Sequence, residues 1–201
     1  MTIETNVHRE SRLAKLKALQ DKGYNPYPYR FRPDAFAADL QEKYKELEPG
    51  ADTEDRVTVA GRAMAVRNNG MFIDIKDISG KIQAFCHKNH LSEEDIERLK
   101  CLDVGDMVGI SGYVRRTPRG ELSIAAEKFD IISKSLQPLP EKFHGLTDVD
   151  ARYRQRYVDF IMNEDSKEIY KKRCQITSAV RRWFEENGFL EVETPMLHPI
   201  M

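Results

Sequence analysis

Apolar residues recur at helical spacing up to Gly50 and at alternate positions from Val57 onward, so the chain changes period between the two. Val7, Leu13, Leu16 and Leu19 lie near one face of a first helix, with Arg9, Arg12, Lys15 and Lys17 elsewhere on it. Gly23 supplies a stop, and Pro26 and Pro28 forbid continuation. Phe36, Leu40, Tyr44 and Leu47 predict a second helix, capped by Asp34 and ended by Pro49-Gly50. Strands are predicted over 57–67, 71–77, 81–87, 106–115 and 121–133, with Asn69-Gly70, Ser79-Gly80 and Arg119-Gly120 as turn signals. A short helix begins at Ser92, where Asp95 three residues on completes a variant capping box, and Ile96 and Leu99 are its apolar contacts.

Three strands, a helix and two more strands is the order of an OB-fold, a small barrel that binds oligonucleotides on strands 2 and 3 and in the loops joining strands 1–2 and 4–5. After it, Pro138 and Pro140 keep a connecting stretch extended. Thr147 and Asp150 form another capping pair ahead of "ARYRQRYVDFI". A long helix follows from about Asp165 to Asn187, with Ile169, Ile176, Val180 and Trp183 on one face. Gly188 ends it, and 189–194 reads as a strand. The domain boundaries implied are 1–55, helical; 56–134, the barrel; 135–146, a linker; and 147–201, a second domain that begins here. The class is α+β.

Composition narrows the chemistry. The chain has 32 basic and 33 acidic residues in 201, so any surface for nucleic acid must be local. Three scattered cysteines, Cys86, Cys101 and Cys174, argue for a reducing compartment, and no apolar run reaches membrane-spanning length. Cys86, His87 and His90 lack the second ligand pair a structural metal needs. GxGxxG and GxxxxGK are absent.

In "MFIDIKD", Met71, Ile73 and Ile75 take one face while Phe72, Asp74 and Lys76 share the other. An aromatic ring on the polar face of an OB barrel is a platform for an unpaired base. In "KIQAFC", Gln83 and Phe85 face out in the same way, and the amide suits a base edge. The two ligand loops are locally basic: Arg67, Asn68 and Asn69 in the first, Arg115, Arg116 and Arg119, followed by Glu121, in the second. "RYRQRY" mixes arginine and tyrosine on a helix, and reads better as packing between domains than as an RNA contact.

"GFLEVETPML" resembles motif 1 of the class II aminoacyl-tRNA synthetases: a long helix, a glycine turn, a strand, then Thr194-Pro195. A barrel ahead of such a segment resembles the subgroup that activates lysine, aspartate and asparagine. "LPEKFHGLTDVDARYRQRYVDFI", "GELSI" and "HRESRLAKLKALQDKGYNPYP" are similar to the lysyl-type members.

The resemblance implies that Phe72 stacks on the central anticodon base, Gln83 reads its edge, and Glu121 and Arg67 complete the contacts. The loop "RNNGMF" is shorter than the usual bacterial form. It implies a homodimer built partly on Gly188, Phe189, Val192 and Pro195, a lysine-accepting tRNA as partner, and a cytoplasmic location. ATP and magnesium are implied for the full enzyme, whose motifs 2 and 3 come after residue 201, so the chain itself is expected to hold no cofactor and to lack catalysis. An aspartyl- or asparaginyl-type synthetase, or a non-catalytic OB module that binds RNA, stays open as an alternative.

Overall fold

The computed structural model describes residues 3–140 and 146–197, and the chain divides into two units, Met1–Leu139 and Pro140–Met201. Part of the expected linker, and most of "KFHGL", falls at 141–145, outside the described residues.

The first unit opens with α1 (Ile3–Asp21). Gly23, at φ +75, ends it, with its N–H donating to Gln20 at 2.8 Å and that of Tyr24 donating to Leu19 at 3.0 Å. The expected apolar stripe holds only in part, since Leu19 is buried while Val7 and Leu13 are exposed. The helix is anchored instead by Arg12, a residue expected on its polar side. The Arg12 guanidinium donates to the carbonyls of Val104 (2.9 Å), Ser135 (3.0 Å) and Gln137 (3.3 Å). A long side chain with several donors serves where irregular backbone leaves carbonyls unpaired.

The second helix, α2 (Ala37–Lys43), is not capped by Asp34. Asp34 accepts instead from the N–H of Thr58 at 2.7 Å. The caps come from a distant turn: Asp77 accepts from Ala37 N–H at 2.7 Å and the Ser79 hydroxyl from Ala38 N–H at 3.0 Å. Leu40 and Tyr44 are buried, whereas Phe36 lies ahead of the helix and is 46% exposed.

Five strands follow: β1 (Asp52–Arg67), β2 (Phe72–Lys76), β3 (Lys81–Phe85), β4 (Met107–Arg116) and β5 (Leu122–Ser133), with α3 (Glu93–Lys100) between β3 and β4. They close into a barrel in the order β1-β2-β3-β5-β4, parallel only between β3 and β5. This is the OB-fold read from the element order. β1 starts earlier than the alternation suggested, because its extension still pairs with β4 at Asp52 and Arg115. Ile73, Ile75, Ile82, Ile110, Ile124, Phe129 and Ile131 fill the interior. At α3, Ser92 accepts from Asp95 N–H at 3.1 Å, as the capping box requires, and the Asp95 carboxylate in turn accepts from Phe129 N–H at 3.2 Å.

The second unit contains α4 (Val149–Arg154), α5 (Arg156–Met162) and α6 (Glu164–Glu186). Asp148, not Thr147, caps α4, accepting from Ala151 N–H at 2.6 Å. Asp159, with no exposed side-chain surface, takes Arg152 at 2.9 Å, Asn163 at 2.6 Å and also Arg156. Arg156 sits 4.7 Å from the Tyr153 ring centre. Arg152 and Arg156 of "RYRQRY" are therefore spent on the buried Asp159 inside this unit, while Arg154 stays exposed and pairs with the exposed Asp150. Ile169, Ile176, Val180 and Trp183 are all exposed on α6. Residues 189–194 form no strand: a strand needs a paired neighbour, and none is present among the described residues.

Candidate nucleic-acid interface

The turn at 77–80 sets the register of β2 on β3. The Asp77 carboxylate accepts from Ser79 N–H and Gly80 N–H, both at 2.7 Å. Burial works against that carboxylate, but the hydrogen bonds from Ala37, Ser79 and Gly80 hold its pKa below the ordinary 3.8. The register that results places Phe72 opposite Phe85, and Asp74 opposite Gln83. The two phenyl rings stand 5.2 Å apart on the outer face, both half-buried. Arg115 lies across the neighbouring strands, its guanidinium 5.2 Å from the Phe85 ring and its Nε 3.2 Å from Asp52.

Beneath the rings lies a polar floor. Gln83 is 8% exposed, and its Oε1 accepts from the buried Ser123 hydroxyl at 2.9 Å. Asp74 is 2% exposed and holds Arg67 with two bonds, at 2.7 and 3.1 Å, and Lys81 at 3.0 Å. Asp74 and Gln83 were expected to face out. They do point away from the barrel interior, but the flanking rings and cations bury them. Burial disfavours the charge on Asp74, yet Lys81 and Arg67 keep its pKa below the usual value.

Two loops overhang the floor. The β1–β2 connection turns tightly through Asn68, Asn69 and Gly70, at φ of 50, 54 and 91, a left-handed run that asparagine and glycine tolerate. The β4–β5 loop is closed by Thr117, whose N–H donates to Glu121 at 2.9 Å and whose carbonyl accepts from Gly120 N–H at 2.8 Å. Together they enclose an open concavity of about 800 Å³, lined by Arg67, Asn68, Phe72, Lys81, Gln83, Phe85, Arg115, Thr117, Pro118, Arg119 and Glu121.

Six of the anticipated residues, Arg67, Phe72, Gln83, Arg115, Arg119 and Glu121, meet in this cavity. Arg116 does not. Its guanidinium donates to Gly120 at 2.7 Å and Tyr44 at 2.6 Å, tying the loop to the segment after α2. Alternation along β4 sends neighbouring arginines to opposite faces, which is the physical reason for the split. Lys81 was missed, although counting back from the turn places it across from Lys76 and diagonal to Asp74. From Phe85, rings continue through His87 (5.8 Å) and His90 (5.9 Å) to Tyr113 (6.4 Å). Cys86 is buried, which pushes its thiol up to about 12. Flat apolar rings beside an amide, with guanidinium groups at the rim, suit an unpaired base and its phosphates.

Comparison with known proteins gives the class. Residues 57–132 match the OB-fold nucleic acid binding domain family, and residues 148–201 match the tRNA synthetases class II (D, K and N). The chain thus carries one stretch similar to the OB-fold nucleic acid binding domain and, after it, one similar to the class II tRNA synthetases. Lysine–tRNA ligases of Sinorhizobium medicae and Rhizobium etli are each 50% identical to it over 191 residues, 95% of this chain and 38% of theirs. The chloroplastic/mitochondrial lysine–tRNA ligase of Arabidopsis thaliana is 46% identical over 195 residues, 94% of this chain and 32% of its own. The chain thus spans about a third of the length of these relatives.

Proposed function

We propose that the barrel selects a lysine-accepting tRNA by its anticodon, as part of a lysine–tRNA ligase. One observation carries this: a ring pair beside the Gln83 amide on one face, inside a cavity rimmed by cations. The Ser123 hydroxyl occupies Gln83 Oε1, and Nε2 has no hydrogen-bond partner among the described residues. The amide therefore offers donors. Uracil, with two carbonyl oxygens on its edge, suits donors better than cytosine, which presents an amino group. Phe72 stacks on that central base, Gln83 reads it, and Glu121 with Arg119 and Arg115 meets the bases and phosphates beside it. Arg67 sits at the rim.

In the whole ligase, ATP and lysine form lysyl-adenylate, and lysine is then passed to the terminal adenosine of the tRNA. ATP and magnesium belong to that reaction, and no step of it is assigned to residues of this chain. The exposed apolar face of α6, continued by Gly188, Phe189, Val192 and Pro195, is the surface on which a second copy would sit. A cytoplasmic location fits the dispersed cysteines, and no described helix is long and apolar enough to cross a membrane.

The test is binding to an RNA stem-loop with UUU in its loop, at two salt concentrations, beside single-base variants. Loss of binding on changing the central U supports the reading. Base-indifferent binding that vanishes with salt contradicts it. Changing the first base to G gives the asparagine anticodon GUU, and changing the third to C as well gives the aspartate anticodon GUC, so these two variants separate the lysine reading from those members.

A further inference from the structure

A carboxylate under a nucleic-acid surface is electrostatically adverse, since it opposes every phosphate that approaches. Asp74 is such a group. Its side chain is only 4% exposed, directly beneath the cavity, beside Gln83 on the next strand. It accepts from the two terminal guanidinium nitrogens of Arg67, at 2.7 and 3.1 Å, and from Lys81 at 3.0 Å. Both cations line the cavity, and their own side chains stay about half exposed. Without Asp74, two positive charges would face solvent at the rim. With it, the group carries a single net positive charge, and the guanidinium plane is fixed by a two-bond contact rather than free to follow a phosphate.

We propose that Asp74 is the specificity-determining residue of this cavity: it holds Arg67 and Lys81 away from phosphates, so that an incoming nucleotide is chosen by its base edge and not by its charge. The proposal rests on the cavity being a base site. Asp74 acts through Arg67 and Lys81 and is a positioning residue.

Removing the charge should strengthen attraction to any RNA while weakening discrimination. The freed cations should also steepen the salt dependence.

The test uses the whole chain with Asp74→Asn, which keeps the shape of the side chain. Stem-loops with UUU and UCU in the loop are titrated across a salt series, with thermal melting recorded alongside. The expected result is a fall of about tenfold in the UUU-to-UCU affinity ratio, the size of one lost base-specific contact. Affinity for UCU holds or rises, and the slope of log affinity against log salt steepens by about 0.7 for each cation that then meets a phosphate. Arg67→Lys keeps the charge but loses the two-bond contact, so it should lower the ratio without steepening the slope. It also keeps the proposal testable should Asp74→Asn unfold.

An unchanged ratio and slope in Asp74→Asn overturns the proposal; if its melting point and both affinities fall together, Arg67→Lys decides instead, and an unchanged ratio there overturns it. Phe72→Ala separates the two levels. If Phe72→Ala abolishes the UUU preference while Asp74→Asn does nothing, the base site stands and this inference fails. If Phe72→Ala leaves the preference intact, the base-site reading itself fails.

Discussion

Replacing Asp106 by alanine should be among the most damaging single changes in the first unit, although Asp106 lies far in sequence from the cavity residues of β2 and β3. The Asp106 and Lys134 side chains have no exposed surface, and they meet at 2.7 Å. Asp106 also accepts from the N–H of Ser135 at 2.7 Å and from that of Asp103 at 2.8 Å. Lys134 reaches Asp103 at 2.6 Å, and Asp103 takes Lys15 of α1 at 2.6 Å. The cluster therefore joins the end of β5, the turn before β4 and the N-terminal helix. Removing one partner of a buried pair costs about 3–5 kcal/mol, because the other charge stays behind. Lys134 keeps Asp103, which reduces that loss, while two backbone donors lose their acceptor at about 1 kcal/mol each. The two corrections roughly cancel, so a loss of about 3–5 kcal/mol remains. At about 2–4 °C per kcal/mol for a chain of this size, the melting point should fall by about 10 °C. Asp106→Asn retains an acceptor and should lose about half as much. Thermal and urea unfolding at neutral pH, followed by circular dichroism, measures both. Glu127→Ala, which breaks the exposed pair with Arg56, is the control and should leave the midpoint in place. A loss below about 1 kcal/mol in Asp106→Ala would refute the assignment of this cluster as the tie between helix and barrel.

Arg116→Met should lower stability by about 1–2 kcal/mol, because two carbonyls lose their donor, and it should leave the salt slope of RNA binding unchanged. A shallower slope would return Arg116 to the RNA-contacting set. Asp77→Ala removes both the α2 cap and the β2–β3 turn bonds and should cost about 1–2 kcal/mol, with faster amide exchange at Ala37 and Gly80 as the local signature. Burial works against the Asp159 carboxylate, but bonds from Asn163, Arg152, Ser166 and Arg156 take its pKa from 3.8 down to about 2. Since the folded value is the lower one, this stabilisation is complete above about pH 5 and is lost as the pH falls from about 4 towards 2. Helical signal from α4 and α5 should follow that window, and Asp159→Asn should abolish the dependence. A transition centred above pH 5 would contradict it.

The barrel was legible because its signals are local. Alternation in β2 and β3 and the turn residues Asn69-Gly70 and Ser79-Gly80 each predict an element without knowledge of the rest. What escaped were contacts between distant segments. Asp34 has the chemistry of a cap, yet the α2 N–H groups are taken by Asp77 and Ser79, which only the folded barrel brings near. Arg12 reads as a surface cation until the carbonyls of Val104 and Ser135 come within its reach. The strand at 189–194 has the right composition, but composition cannot supply a neighbour to pair with. In the cavity, Phe72 and Gln83 follow from strand parity, whereas Arg115 and Arg116 read as one basic loop and are divided only because β4 extends through both. The depth of Asp74 and Gln83 does not, because it depends on which side chains flank them across three strands.

A thermodynamic cycle decides whether Phe72 holds the middle base of an anticodon. Affinity is measured for the wild-type chain and for Phe72→Ala, each with the UUU stem-loop and with the same RNA lacking only the central base. Either change alone should cost about 1–3 kcal/mol, and the second should then cost almost nothing, a coupling of about the same size. Additive losses, with no coupling, would mean that ring and base do not meet, and the cavity would need another ligand.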